Sequence, residues 1–186
     1  MRWTIVTLCV LMAACSGQNL NSPTSPTGSL GAPSASLDTA GVSRTQAVGG
    51  TELPFQGSFT QQSHSAFEPP ITLVITGTEG GTATDLGRFT ATSEDRVNTT
   101  NNTSAGSFNF IAANGDQLRT TTVGAENEFI PPNVSKVTLA ATIVGGTGRF
   151  AAASGHLTIR FTQTIDFAAN SAVGSGTIEG RLSLDR

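Results

Sequence analysis

The chain has 186 residues, of which 10 are Lys or Arg and 13 are Asp or Glu, with a formal net charge of −3. This length allows one domain of ordinary size with a tail, and the weak charge without a basic, aromatic-rich stripe excludes nucleic-acid binding. Only 12% of the residues are charged, Tyr is absent and there are 21 Gly. Because many short strands joined by glycine turns produce such a profile, we expect an all-β domain.

The first residues, MRWTIVTLCVLMAAC, place one positive charge before an apolar run and a small-residue pair. A run of about ten apolar residues is too short for a membrane-spanning helix, so it predicts a signal peptide over 1–14. The closing MAAC resembles the lipobox of bacterial lipoproteins. The resemblance implies that Cys15 carries a lipid, and that Ser16 directs the protein to the outer membrane of a two-membrane bacterium. The alternative is a cleaved signal without lipid and a secreted protein.

The cysteine count supports lipid attachment. Cys9 lies inside the apolar run and would leave with the signal, so Cys15 is the only cysteine of the mature chain. No intramolecular disulfide can then form. A lipid would explain why a single terminal cysteine is present.

Residues 15–50 are dominated by Ser, Pro, Thr, Gly and Ala, and only Asp38 and Arg44 are charged. No periodic apolar face is present, so ordering this segment would cost conformational entropy without compensation. We predict a disordered, flexible tether with a root-mean-square span on the order of 30 Å. The expected partner is therefore a membrane, reached through the N-terminal lipid.

Residues 51–186 are predicted to form the folded domain. In KVTLAATIV, for example, Val137, Leu139, Ala141 and Ile143 share one face of a period-two pattern. Eight such strands are predicted at 53–61, 71–79, 87–96, 105–113, 117–124, 136–145, 155–166 and 173–184.

The connections between these strands favour an up-and-down antiparallel arrangement. ANGD at 113–116 is typical of a tight hairpin, whereas NTTNNTS and AENEFIPPNVS predict longer loops. No helix is long enough for a crossover, and closing eight strands into a barrel removes exposed edges. Such an interior either fills with side chains or holds one small ligand. The sequence leaves both arrangements open.

The densest glycine cluster, GGTGRFAAASG, has the G-x-G-x-x-A spacing of a dinucleotide-binding loop at Gly146, Gly148 and Ala151. That loop must open a helix, but a period-two run follows instead, after too few residues for a parallel crossover. We therefore expect a tight antiparallel connection with Phe150 turned inward. No cofactor is predicted.

Four segments carry a family resemblance: GTATDLGRFTATSED, GSFNFIAANGDQL, ATIVGGTGRFAAASGHLTI and GSGTIEGRL. They resemble a group of uncharacterised bacterial exported proteins with a GGTGRF block, which is similar in turn to the glycine-rich connection of allene oxide cyclase and dirigent barrels. The resemblance implies an eight-stranded antiparallel β-barrel of the allene oxide cyclase type. An activity cannot be transferred from this resemblance, because dirigent-type chemistry uses tyrosines and acids in the cavity and this chain has no Tyr.

Residues that could carry chemistry are few. His64 in a polar loop and His156 at the start of the seventh strand lack metal-ligand spacing, so no metal site is predicted. No G-x-S-x-G motif is present, and no catalytic residue is assigned. Arg160 and Glu179 are expected to form a surface cross-strand pair.

Ser93 and Asp95 are the candidate polar residues of a cavity, because period two places them with Phe89 and Ala91 on the inner face. A buried Asp95 must be paired or protonated, which makes it a candidate ligand contact. The alternative, which the sequence favours, is that the third strand ends or bulges first and leaves Asp95 in solvent.

Three functions remain open. The leading hypothesis is a lipid-anchored envelope protein that binds a small apolar ligand in its barrel or packs only its own core, without catalysis. The second is a cyclase- or isomerase-type enzyme acting on a hydrophobic substrate inside the barrel. The third is a structural or adhesive surface module, which an outward apolar patch would favour. The sequence leaves the oligomeric state open.

Overall fold

The computed structural model of the protein describes residues 52–184. Eight strands form a closed barrel in which each strand pairs with the next and the last pairs with the first, all antiparallel. The strands are β1 (Glu52–Glu68), β2 (Thr72–Ala83), β3 (Gly87–Asn98), β4 (Thr103–Ala112), β5 (Gln117–Ile130), β6 (Val134–Gly146), β7 (Ser154–Asp166) and β8 (Ser171–Ser183). The predicted all-β, eight-stranded antiparallel barrel is confirmed.

The predicted signal peptide, the lipid on Cys15 and the tether over 15–50 lie outside the described residues. Between residues 52 and 184, no helix is long and apolar enough to cross a membrane.

The strands are longer than predicted, and β1 and β5 exceed their predicted ranges the most. β1 continues to Glu68, so His64 lies on a strand and not in a polar loop, and β5 continues to Ile130, so most of the predicted loop AENEFIPPNVS is strand. The extension of β1 was missed because its inward residues, Gln61, Ser63 and Ser65, are polar and do not show the usual apolar alternation.

The two ends of the barrel differ. At the closed end, where the chain enters, lie the turns 84–86 and 113–116 and the connection 147–153; at the other end, which we call the mouth, lie the turns 69–71, 99–102, 131–133 and 167–170. The closed half is filled by apolar side chains. Those almost fully buried there include Phe55, Phe89, Phe110, Leu118, Phe150 and Leu182.

The glycine cluster forms a tight antiparallel connection between β6 and β7, as predicted. It contains one 3₁₀ turn, Gly148–Phe150, and the left-handed φ values of Gly145 (102°) and Gly148 (56°) let the chain reverse. Phe150 is 0% exposed and closes this end of the core. The connection therefore completes the core of the closed half.

The outer wall is polar and solvated. Arg160 and Glu179 form the expected ion pair across β7 and β8, with side chains about half exposed (52% and 55%). Exposed pairs of this kind contribute ~0–1 kcal/mol, so this ion pair adds little to stability.

Candidate functional site

The mouth half of the barrel is not filled. It holds a cavity of about 220 Å³, and a neighbouring cavity of about 230 Å³ shares five of its lining residues. Each cavity is smaller than the roughly 300–1,000 Å³ of pockets that bind drug-sized ligands, so each can hold only a smaller molecule. The shared residues are Ser63, Leu73, Ile75, Gln163 and Ile165. The wall is thus partly aliphatic and partly polar.

Two carboxylic acids point into the barrel on neighbouring strands. Ser93 Oγ donates a hydrogen bond to Glu79 Oε1 at 2.7 Å, and Thr122 Oγ1 donates one to Asp95 Oδ1 at 3.2 Å. Asp95 lines the 220 Å³ cavity, and Glu79 is 6% exposed. Two acids with hydroxyl partners therefore lie together on the inner face.

The expectation that Asp95 lies in solvent beyond the end of its strand is wrong. β3 runs on to Asn98, and Asp95 pairs in unbroken register with Ile75 on one side and Gly106 on the other. Without a bulge, period two holds Ser93 and Asp95 on the inner face. The structure therefore places both candidate residues inside the barrel.

Two glycines on the flanking strands make room for the acids. A Cβ atom at Gly77 would overlap Ser93 Oγ and Glu79 Oε1, and one at Gly106 would overlap Asp95 Oδ1. Glycine inside a strand often marks a close approach of this kind. The space for the hydroxyl–carboxylate pairs is thus built into β2 and β4.

No cation balances these acids within residues 52–184. Every Lys and Arg there is exposed: Arg88, Arg96, Arg119, Lys136, Arg149, Arg160 and Arg181. Glu79 Oε2 and the hydroxyl of Thr120, another inner-face residue, are buried without a hydrogen-bond partner in this part of the chain. The interior is therefore acidic and retains unused hydrogen-bonding capacity.

Burial dominates the electrostatics of both acids. It raises the pKa of Glu79 to about 7; the Ser93 hydrogen bond opposes this rise and the nearby charge of Asp95 adds to it. Burial also raises the pKa of Asp95, against the effect of the Thr122 hydrogen bond. Near neutral pH, the protonated and the charged form of Glu79 are therefore both populated in the folded protein.

Sequence reasoning did not single out Glu79. Period two from Leu73 and Ile75 places it on the inner face, so the signal was present. Glu79 is the last residue of the predicted second strand, where a side chain would be expected to reach solvent. In the structure β2 continues to Ala83, so Glu79 lies within the strand.

The remaining predicted residues lie elsewhere. His64 and His156 are exposed on the outer wall, and Cys15 lies outside the described residues. Within residues 52–184, no group of three or more His, Cys, Asp or Glu side chains is arranged to hold a metal ion.

No protein-family model and no curated protein matches this chain. Among solved structures, the pterocarpan synthase dirigent protein GePTS1 is similar at 17% sequence identity and a TM-score of 0.47, with 79% of this chain and 100% of that chain covered. The assignment of the barrel depends on the strand pairing of this chain itself.

We expect Glu79→Gln to stabilise the protein at alkaline pH. The folded-state pKa of about 7 lies above the ordinary 4.5, so the stability associated with the proton on Glu79 is complete below pH 4.5 and is lost as the pH rises through 7. Gln keeps an acceptor for Ser93 and carries no charge. Urea unfolding at pH 8 should therefore give the variant a free energy of unfolding higher by about 2–3 kcal/mol, with little difference at pH 4.

Glu94→Gln is the matched control, because Glu94 lies next to Ser93 on β3 and faces solvent. It should match the unsubstituted protein closely at both pH values. Equal stability of Glu79→Gln and the unsubstituted protein at pH 8 would show that Glu79 is not held in a desolvated site.

Proposed function

We propose that the protein binds a small, mostly apolar molecule in the mouth half of its barrel, with one polar end of that molecule directed at Asp95. The observation that carries this proposal is a partly aliphatic cavity whose charged lining residues, Asp95 and Glu126, are both acidic. A ligand that presents an N–H or O–H donor, or a positive charge, complements such a cavity.

The energetics of the interior support a binding role. A buried carboxyl without a cation costs stability, and such groups concentrate at functional sites. The closed half of the same barrel shows that the fold can be filled with Phe and Leu side chains. An interior that is acidic and unfilled only near the mouth is consistent with a site kept for a ligand.

A fluorescent probe tests this proposal. N-phenyl-1-naphthylamine is apolar and has one N–H donor, so we expect a saturable rise in its fluorescence with a dissociation constant on the order of micromolar. Val97→Trp puts a large ring at a cavity-lining position and should abolish the rise.

Val123→Trp makes the same replacement on the outer wall, where Val123 is 61% exposed. This control should bind the probe as the unsubstituted protein does, and circular dichroism should show that both variants keep their β-sheet. Binding that survives in Val97→Trp, or that disappears equally in both variants, would contradict a site inside the barrel.

A second candidate function is proton-transfer catalysis of the isomerase or cyclase type on an apolar substrate. The observation that favours it is Asp95, a carboxyl group that lines the cavity and whose pKa is raised by burial, with Glu79, whose pKa is about 7, close beside it. Groups that titrate near neutral pH can both accept and donate a proton.

A general-base probe tests this alternative. A carboxylate removes the C3 proton of 5-nitrobenzisoxazole, the N–O bond breaks and a coloured phenolate forms. Catalysis would give a rate that saturates with the probe and is lost in Asp95→Asn, which keeps the acceptor for Thr122. A rate that is the same in the two proteins would contradict catalysis at this site.

We further propose that the protein is exported and lipid-anchored through Cys15, at the outer membrane if the cell has two membranes. Support comes from the MAAC tetrapeptide and from the lack of a second cysteine after the predicted signal. In Cys15→Ala, the protein should move from the membrane fraction to the soluble fraction on cell fractionation. Retention in the membrane after signal cleavage would contradict lipid attachment.

A further inference from the structure

Large apolar side chains are exposed around the mouth of the barrel. They lie at the end of β1, in the turn to β2, at the end of β5 and in the turn between β7 and β8. We call these residues the mouth rim: Phe67 (56% exposed), Ile71 (40%), Phe129 (43%), Ile130 (37%) and Phe167 (63%). Such a cluster is typical of an interaction surface, whereas isolated exposed apolar residues are normal.

The opposite end of the barrel shows that this exposure is specific to the mouth. The large apolar residues of the closed-end connections, Leu86 and Phe150, are 3% and 0% exposed. They fold into the core, whereas the residues of the mouth rim remain exposed. The other large exposed apolar residues of the described chain are Val123, Val144 and Val173, each on the wall of a strand.

The mouth rim surrounds an opening and does not line a groove. The turns after β1 and β5 are half the barrel apart, and each contains the two prolines of a Phe-x-Pro-Pro sequence, at 67–70 and 129–132. Phe167 approaches Phe129 from the β7–β8 turn, with 6.5 Å between the ring centroids. A discontinuous ring on three turns fits a planar partner better than a peptide.

The two basic side chains beside the mouth rim, Arg96 and Lys136, are each paired with an acid. Glu68 is paired with Arg96, and Lys136 Nζ lies 2.8 Å from Glu128 Oε2. Because this surface has no free basic patch, it has no preference for an anionic lipid bilayer. Aromatic and aliphatic side chains next to paired charges match the interface of a zwitterionic bilayer.

The chain between Cys15 and Glu52 is long enough to let the mouth of the barrel face a membrane in which Cys15 is anchored. Glu52 enters at the closed end, so an anchor on Cys15 must reach around the barrel. Residues 16–51 span at most roughly 120 Å when extended, and the strands of the barrel rise about 3.3 Å per residue along a tilted axis, for a height of only ~35 Å.

We propose that the mouth rim inserts into the interfacial region of a phospholipid bilayer, so that the cavity opens toward the lipid. This inference rests on the proposed location at a membrane but not on ligand binding. If a ligand binds, it then exchanges with the bilayer and not with water.

Tryptophan quenching tests the orientation. The only Trp of the chain is Trp3, so a Trp3→Phe background allows one reporter to be placed at a time. The reporters are Phe167→Trp in the mouth rim and, as the matched control, Ala151→Trp, an exposed position at the closed end. Both are made in the full chain as the cell processes it and mixed with phosphatidylcholine vesicles that carry bromine on the acyl chains.

We expect bromine to lower the fluorescence of Phe167→Trp by about twofold and to leave Ala151→Trp unchanged. Adding Phe67→Ser and Phe129→Ser to the first reporter should weaken that quenching. A protein that sediments with the vesicles while Phe167→Trp is unquenched would overturn docking and leave lipid anchoring intact.

The Cys15→Ala form separates docking from anchoring. If this form still shows quenched Phe167→Trp, the mouth rim binds the bilayer without a lipid. If Phe167→Trp is shielded only in a dimer that forms without vesicles, a second copy covers the mouth rim and the proposal is wrong.

Discussion

The burial of two carboxyl groups without a cation is the constraint on which the functional part of this structure depends. Glu79 and Asp95 lie on adjacent strands of a closed barrel, and each receives one hydroxyl hydrogen bond. Hydroxyl donors satisfy part of each carboxylate but do not replace its hydration. The barrel therefore holds a desolvated acidic centre, and the pKa of Glu79 rises to about 7.

The rest of the barrel accommodates that centre. Gly77 and Gly106 leave space for the two carboxylates, because a side chain at either position would overlap them. The packed aromatic and aliphatic core of the closed half supplies the hydrophobic stabilisation, which lets the mouth half remain polar and unfilled. One half thus stabilises the fold and the other presents a cavity.

The sequence predicted the architecture because strand alternation and turn residues report it directly. The eight strands, the ANGD hairpin and the inward Phe150 all follow from local patterns. The site was harder to predict because its inner face is polar. In β1, Gln61 and Ser63 occupy inward positions that usually hold apolar residues, so the sequence pattern there predicts a loop and not a strand. The burial of Asp95 also depends on an unbroken register with two neighbouring strands, which no local pattern specifies.

Direct titration of the two carboxyl groups tests the central claim. In the protein labelled with ¹³C at Glu and Asp side chains, NMR can follow the carboxyl carbon of Glu79 from pH 3 to pH 9. The structure predicts a midpoint of about 7 for Glu79 and a midpoint above the ordinary 3.8 for Asp95. Midpoints near the ordinary 4.5 and 3.8 would show that water reaches both acids and would contradict a desolvated acidic site inside the barrel.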